Sequence, residues 1–238
     1  MLLHGFTSSP QEMAGLAALL AEKGYTVRTP RLPGHATHPR DLLHVSHYDW
    51  LATAEQGLQE IRQISRQQVA IGLSLGATLA LHLAANFRVA GVVALAPALK
   101  LSWWAAASVY LLSPFNYIRH KAAGPDVKNR AGKALLQSYE SYPIAAAKPA
   151  LRLMRLVRRE LPRITAPLLA VHAQDDHVIP VGNLDYLLRQ VKSPRVEKLI
   201  VTNSYHVLTV DHDHEEIFAR VLAFIHHVTV PAAVTAAR

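Results

Sequence analysis

The pentapeptide GLSLG, Gly72 to Gly76, sets a serine between glycines two residues to either side. It follows the apolar run VAIGL and opens the helical pattern GATLALHLA. A serine between strand and helix in this pattern sits on a turn so tight that only very small residues fit beside it. That turn lifts the Ser74 hydroxyl above the sheet end, at the positive end of the following helix. A glycine-rich turn serving only close helix–strand packing is the competing reading. An alcohol of ordinary pKa is a weak nucleophile, so an imidazole base and an orienting carboxylate are required.

Where a strand–serine–helix elbow is the nucleophile, the acid and then the histidine follow it in chain order. Asp176 lies in QDDHVIP, directly after the apolar run LLAVHA. Carboxyl ends of parallel strands are where such sheets carry functional groups. Asp175 competes with it, and the spacing to Pro180 favours Asp176. Fourteen histidines complicate the choice of base. His206, in NSYHVLTVD after the run VEKLIV, has the expected location. His212 and His214 read as helix-start surface residues, and His82 as a packing or surface residue on the helix after the elbow. A tetrahedral oxyanion also needs two backbone N–H donors. Leu75 supplies one, and the loop His4-Gly5-Phe6 the other, through Phe6. His4 is then structural.

These groups need a sheet to hold them. Apolar runs alternate with helical patterns, which favours an α/β architecture with a largely parallel sheet. Strands are expected at Leu2–Leu3, Tyr25–Thr29, Val69–Leu73, Val89–Leu95, Leu168–Ala173 and Val196–Val201. Helices are expected at Gln11–Lys23, His47–Arg66, Leu75–Asn86, Val181–Val191 and His214–His226, with a frayed tail from Thr229. Between about Pro97 and Ile164 the pattern predicts helices and no strand. The expected organisation is therefore a core of residues 1–96 and 165–238, interrupted by a helical insertion of residues 97–164. The first strand has hardly begun when the sequence starts: either the preceding segment is dispensable, or the given start lies downstream of the true one.

The 238 residues are half apolar and 18% charged, enough for one sizeable core. Without cysteine, disulfides, thiolate catalysis and Cys-ligated metal sites are excluded. A formal charge of +8 favours anionic surfaces without selecting one. Arg152, Arg155, Arg158, Arg159 and Arg163 read as a solvated helix face. The uncharged stretch Leu101–Ile118 contains Ser102, Ser108, Ser113, Pro114 and Asn116, and reads as a buried or pocket-lining helix. Neither a signal peptide nor a membrane span is recognisable, so the expected location is cytoplasmic. No HExxH or GxGxxG motif occurs, and His212-Asp213-His214 is a poor ligand set. No metal, cofactor or nucleic-acid partner is expected, and the sequence sets no oligomeric state.

As a set, LLHGFTSSP, GYTVRTPRLPGHATH, GLSLGATL, DDHVIP and NSYHVLTVD resemble the bacterial monoacylglycerol lipases and small carboxylesterases of the α/β-hydrolase superfamily. The likeness covers nearly the whole chain and is weakest from about Lys100 to Gly124. It implies Ser74 as nucleophile, Asp176 as orienter, His206 as base and acid, and Phe6 and Leu75 as oxyanion donors. It implies that the insertion is a cap. In the lipase branch a cap glutamate contacts the glycerol hydroxyls, and SYESYP puts Glu140 at the matching position. Asn203 of NSYH is a second polar candidate. Ala36 departs from the commoner GHGTH wording.

The expectation is thus a serine carboxylic-ester hydrolase that releases glycerol and a fatty acid from a monoacylglycerol through an acyl-enzyme. Trp103 and Trp104, with Tyr110, Leu111 and Leu112, would form an apolar wall for the acyl chain. The cap would touch a lipid surface transiently. A carboxylesterase for simple short-chain esters is the second expectation. A non-catalytic binding protein of the same fold is the third.

Overall fold

The computed structural model describes residues 1–115, 117–121 and 123–229. Its central sheet consists of β1 (Leu2–Leu3), β2 (Val69–Leu73), β3 (Gly91–Leu95), β6 (Leu168–Ala173) and β7 (Val196–Val201), in that spatial order and parallel throughout. The missing numbers belong to a short antiparallel pair outside it, β4 (Ile118–His120) and β5 (Ser141–Pro143). The three inner strands β2, β3 and β6 are nearly unbroken Val, Ile, Leu and Ala because both faces of the sheet are covered there. Along β3, Val92 and Ala94 pack into one core layer, and Val93 and Leu95 into the other. β6 repeats this alternation with Leu168 and Ala170 against Leu169 and Val171.

One layer is closed by α2 (His47–Ile64), α3 (Leu75–Asn86), α6 (Ala147–Glu160) and α7 (Gly182–Gln190). The other is closed by α1 (Ala14–Glu22), after a 3-10 turn at Pro10–Met13, and by α8 (His214–Thr229). α3 is buried from Leu75 through Ala84, which explains why LGATLALHLA lacks a polar stripe. Among the described residues, no helix is long and apolar enough to cross a membrane.

Three expectations need correction. Tyr25–Thr29 is not a strand; a single bond, Leu2 N–H to the Arg28 carbonyl at 2.8 Å, ties this segment to β1. The segment of residues 97–164 is not purely helical. Besides α4 (Trp103–Leu112), α5 (Arg130–Ala134) and α6 it holds β4 and β5, whose three-residue lengths are too short for a period-two signal. Third, Leu101–Ile118 is not one continuous helix: α4 spans only part of it, of α4 only Val109 is fully buried, and Trp104, Ala105 and Val109 line a cavity, so the pocket-lining half of the expectation is the one that fits. Asn116 and the expected frayed tail beyond Thr229 lie outside the described residues.

Candidate active site

Ser74 stands between β2 and α3 with φ 57° and ψ −115°, a conformation that side-chain-bearing residues rarely adopt. The flanking glycines are a steric requirement. A Cβ on Gly72 would lie 2.0 Å from the Gly76 carbonyl oxygen, and one on Gly76 2.0 Å from the Leu3 carbonyl oxygen. The Ser74 N–H donates to the Leu95 carbonyl at 2.8 Å, pinning the elbow to β3.

The Ser74 hydroxyl donates to His206 Nε2 at 2.9 Å, and His206 Nδ1–H donates to Asp176 Oδ2 at 2.7 Å. An ionised carboxylate only accepts, so Asp176 fixes the proton on Nδ1 and leaves the Nε2 lone pair facing serine. The other Asp176 oxygen accepts the N–H groups of Val178 and Ile179, both at 2.8 Å. Burial pushes the Asp176 carboxyl up, but the His206 ring and these N–H donors outweigh it and hold the group below the usual carboxylate range. Burial likewise pulls His206 down; the Asp176 charge and hydrogen bond, with Glu12 and Asp126, more than compensate and leave it above the ordinary imidazole value. Asp175 is exposed at the neighbouring position.

Phe6 and Leu75 both line the cavity beside Ser74. Leu75 opens α3, where the first N–H groups have no partner within the helix. The loop bearing Phe6 is held from behind. His4 Nδ1–H donates to the Gly5 carbonyl at 2.9 Å, and His4 Nε2 accepts the Leu32 N–H at 3.1 Å. Burial lowers His4 to about 3, so it is a neutral strut, as its sequence position implied.

Two carboxylates that the sequence did not single out join the insertion to the His206 loop. Asp126 accepts the His206 N–H at 3.2 Å and pairs with His177 Nδ1 at 2.9 Å. The fully buried Asp211 accepts from Lys128 and Asn129 on one side and from Tyr205 and His212 on the other, at 2.8–2.9 Å. Their signal is only tertiary: neither lies in a recognisable pattern with its partners.

A cavity of about 620 Å³ opens over Ser74 and His206, at the carboxyl ends of the strands. Trp104, Val109, Ile144, Leu151 and Met154 give it an apolar wall. Trp103, Glu140 and Asn203 do not line it. Trp103 is 82% exposed, Glu140 is exposed, and Asn203 is exposed and accepts from Lys128 Nζ at 2.9 Å. β5 begins directly after Glu140, whose carbonyl accepts the Lys121 N–H at 2.8 Å. The polar side chains that do face the cavity near Ser74 include Glu12 and Lys121, which the sequence reading passed over. A wider depression of about 920 Å³, between residues 62–68 and 88–90, lies at the opposite ends of the strands and holds none of this chemistry. Among the described residues, no cluster of three or more His, Cys, Asp or Glu could hold a metal ion.

A doubly covered parallel sheet carrying a serine–histidine–aspartate relay at its carboxyl ends defines the α/β-hydrolase class of protein. The model of the alpha/beta hydrolase family matches residues 1–220, and the chain belongs to that family. It is 36% identical over 225 residues to a thermostable monoacylglycerol lipase of Bacillus sp. (strain H-257), covering 94% of this chain and 88% of the relative. It is 25% identical over 227 residues to a carboxylesterase of Bacillus subtilis (strain 168), covering 94% and 91%. A solved structure of a metagenome-derived lipolytic enzyme superposes with a TM-score of 0.90 at 33% identity, covering 95% of this chain and 92% of the other.

Proposed function

We propose that the protein is a serine carboxylic-ester hydrolase and that monoacylglycerols are its substrates. The observation that carries this reading is the Ser74–His206–Asp176 relay, at 2.9 and 2.7 Å, beneath a cavity with one largely apolar wall. His206 Nε2 takes the Ser74 proton as Oγ attacks the ester carbonyl carbon. The oxyanion is held by the N–H groups of Leu75 and Phe6. His206 then gives its proton to the departing alcohol. Water, deprotonated by the same ring, attacks the acyl carbonyl; the bond to Ser74 Oγ breaks, His206 returns the proton to Oγ, and the fatty acid leaves. Asp176 stays ionised and stabilises the imidazolium between these steps. The chemistry needs no cofactor.

The acyl chain fits the wall of Trp104, Val109, Leu151 and Met154. Trp103, Leu111 and Phe115, all more than two-thirds exposed on α4 and the turn after it, support transient contact of this segment with a lipid surface. One observation favours the simple-ester alternative: Glu140 and Asn203, the glycerol contacts that the resemblance implied, lie away from the cavity.

Hydrolysis of monoacylglycerols and ethyl esters of matched acyl length separates the two. The monoacylglycerol reading expects kcat/KM for the glyceryl ester to exceed that for the ethyl ester at each chain length. Equal or inverted values establish a simple carboxylesterase. Ser74→Ala abolishes turnover of both while leaving the thermal unfolding midpoint near that of the parent; retained hydrolysis rejects the whole assignment.

A further inference from the structure

The cavity has a second character. Its lining also includes a buried carboxylate and a half-buried ammonium that the relay does not use. Glu12 comes from the 3-10 turn Pro10–Met13 and is 3% exposed, yet its side chain borders the cavity. Its Oε2 accepts the Gly5 N–H at 2.9 Å. Gly5 is what separates it from the nucleophile: a Cβ there would lie 3.3 Å from both carboxylate oxygens and 3.5 Å from Ser74 Cβ. Lys121, directly after β4, donates from Nζ to Thr7 Oγ1 at 2.5 Å and to Ser138 Oγ at 2.8 Å.

Withdrawing a carboxylate fully and an ammonium partly from water costs stability that an apolar pair of the same volume would not. Burial pushes the Glu12 carboxyl up and the Lys121 ammonium down to about 8. Charges kept under such conditions beside a nucleophile collect where a ligand uses them. Both have capacity to spare. An ammonium has three protons, and two are used; a carboxylate has about four lone-pair positions.

We propose that Glu12 and Lys121 form the recognition site for the hydroxyls of a polyol leaving group. This deepens the monoacylglycerol reading and rests on it. A hydroxyl donates to the Glu12 carboxylate and another accepts from Lys121, while the acyl chain lies along the apolar wall. A plain alkyl alcohol offers neither pairing and leaves the spare hydrogen-bonding capacity of both groups unused, which discriminates against it. The pair thus takes the place that the resemblance assigned to Glu140 and Asn203.

Acyl transfer reads this site directly. The acyl-enzyme is formed from a p-nitrophenyl ester, and glycerol and 1-propanol compete to intercept it. An acceptor oxygen attacks the acyl carbonyl and the bond to Ser74 Oγ breaks. His206 takes the acceptor's proton and returns it to Oγ. The ratio of monoacylglycerol to propyl ester formed is internal to each enzyme, so any slowing shared by the two acceptors cancels. A role confined to positioning the Gly5–Phe6 loop would therefore not move it. The parent is expected to favour glycerol, and Glu12→Gln and Lys121→Met each to lower the ratio on the order of tenfold.

A parent that favours glycerol with both variants unchanged overturns the assignment and leaves the monoacylglycerol reading standing. A parent with no preference for glycerol overturns both. The Gln amide keeps an acceptor for the Gly5 N–H, and Lys121→Met acts on a different segment. Thermal melting reports the folding of each, so one arm survives the loss of the other.

Discussion

On the proposed mechanism Asp176 governs the acid side of the reaction, because it raises the affinity of His206 for its proton. The base must be neutral to accept from Ser74, so activity appears as pH rises through the His206 value, which lies above the ordinary 6.5. The acid limb of kcat/KM is expected above pH 6.5. Asp176→Asn is expected to shift that limb downward and to lower kcat by about 10⁴, since the ring then loses the tautomer it needs. A limb that does not move on this substitution would contradict the electrostatic account. A second residue-scale effect concerns Ala36, which has φ 53° where the related wording has glycine. Ala36→Gly is expected to relieve up to about 1 kcal/mol of backbone strain, offset partly by unfolded-chain entropy, measured by urea denaturation. Ser74, Asp176 and His206 were legible because each follows a strand in an ordered motif. Glu12 was not, because nothing in SSPQEM says that its carboxylate turns inward toward Gly5.

His82 belongs to the scale of elements, for it clasps three helices. Lying on α3, it meets Glu160 of α6 at 2.8 Å and Glu55 of α2 at 3.0 Å. Sequence alone read it as a packing or surface residue; its partners are 27 and 78 positions away, beyond any local pattern. Burial lowers its proton affinity, but the two carboxylates prevail and the value stands above 6.5. A raised folded-state value means stability fully present below pH 6.5 and lost as pH climbs through the raised value. His82→Gln is expected to cost about 2 kcal/mol at pH 5.5 and less at pH 9, read from denaturant unfolding at the two pH values. An equal loss at both would show that packing, not charge, is what His82 supplies. The three inner strands β2, β3 and β6 and their helices were readable from nearly unbroken apolar runs. The strand expected at Tyr25–Thr29 failed because β propensity does not guarantee a ladder partner. β4 and β5 were invisible because their pairing is set by the insertion's tertiary path.

Across the whole molecule the division of labour is between a rigid sheet and the segment laid over its carboxyl ends. The sheet holds Ser74 and Asp176 through β2 and β6, and His206 through the loop after β7. The overlying segment is bound to that loop by Asp126 and Asp211, and it supplies most of the cavity's apolar wall. The same few hydrogen bonds therefore tie the cavity wall to the loop that carries His206. The central claim is that the Ser74 hydroxyl is activated by His206. Treating the protein with a fluorophosphonate and locating the adduct by peptide mass spectrometry tests it most directly. One equivalent is expected on Ser74, with labelling lost in His206→Ala despite an intact fold. Absence of an adduct on the folded parent, or an adduct on another residue, would contradict the account.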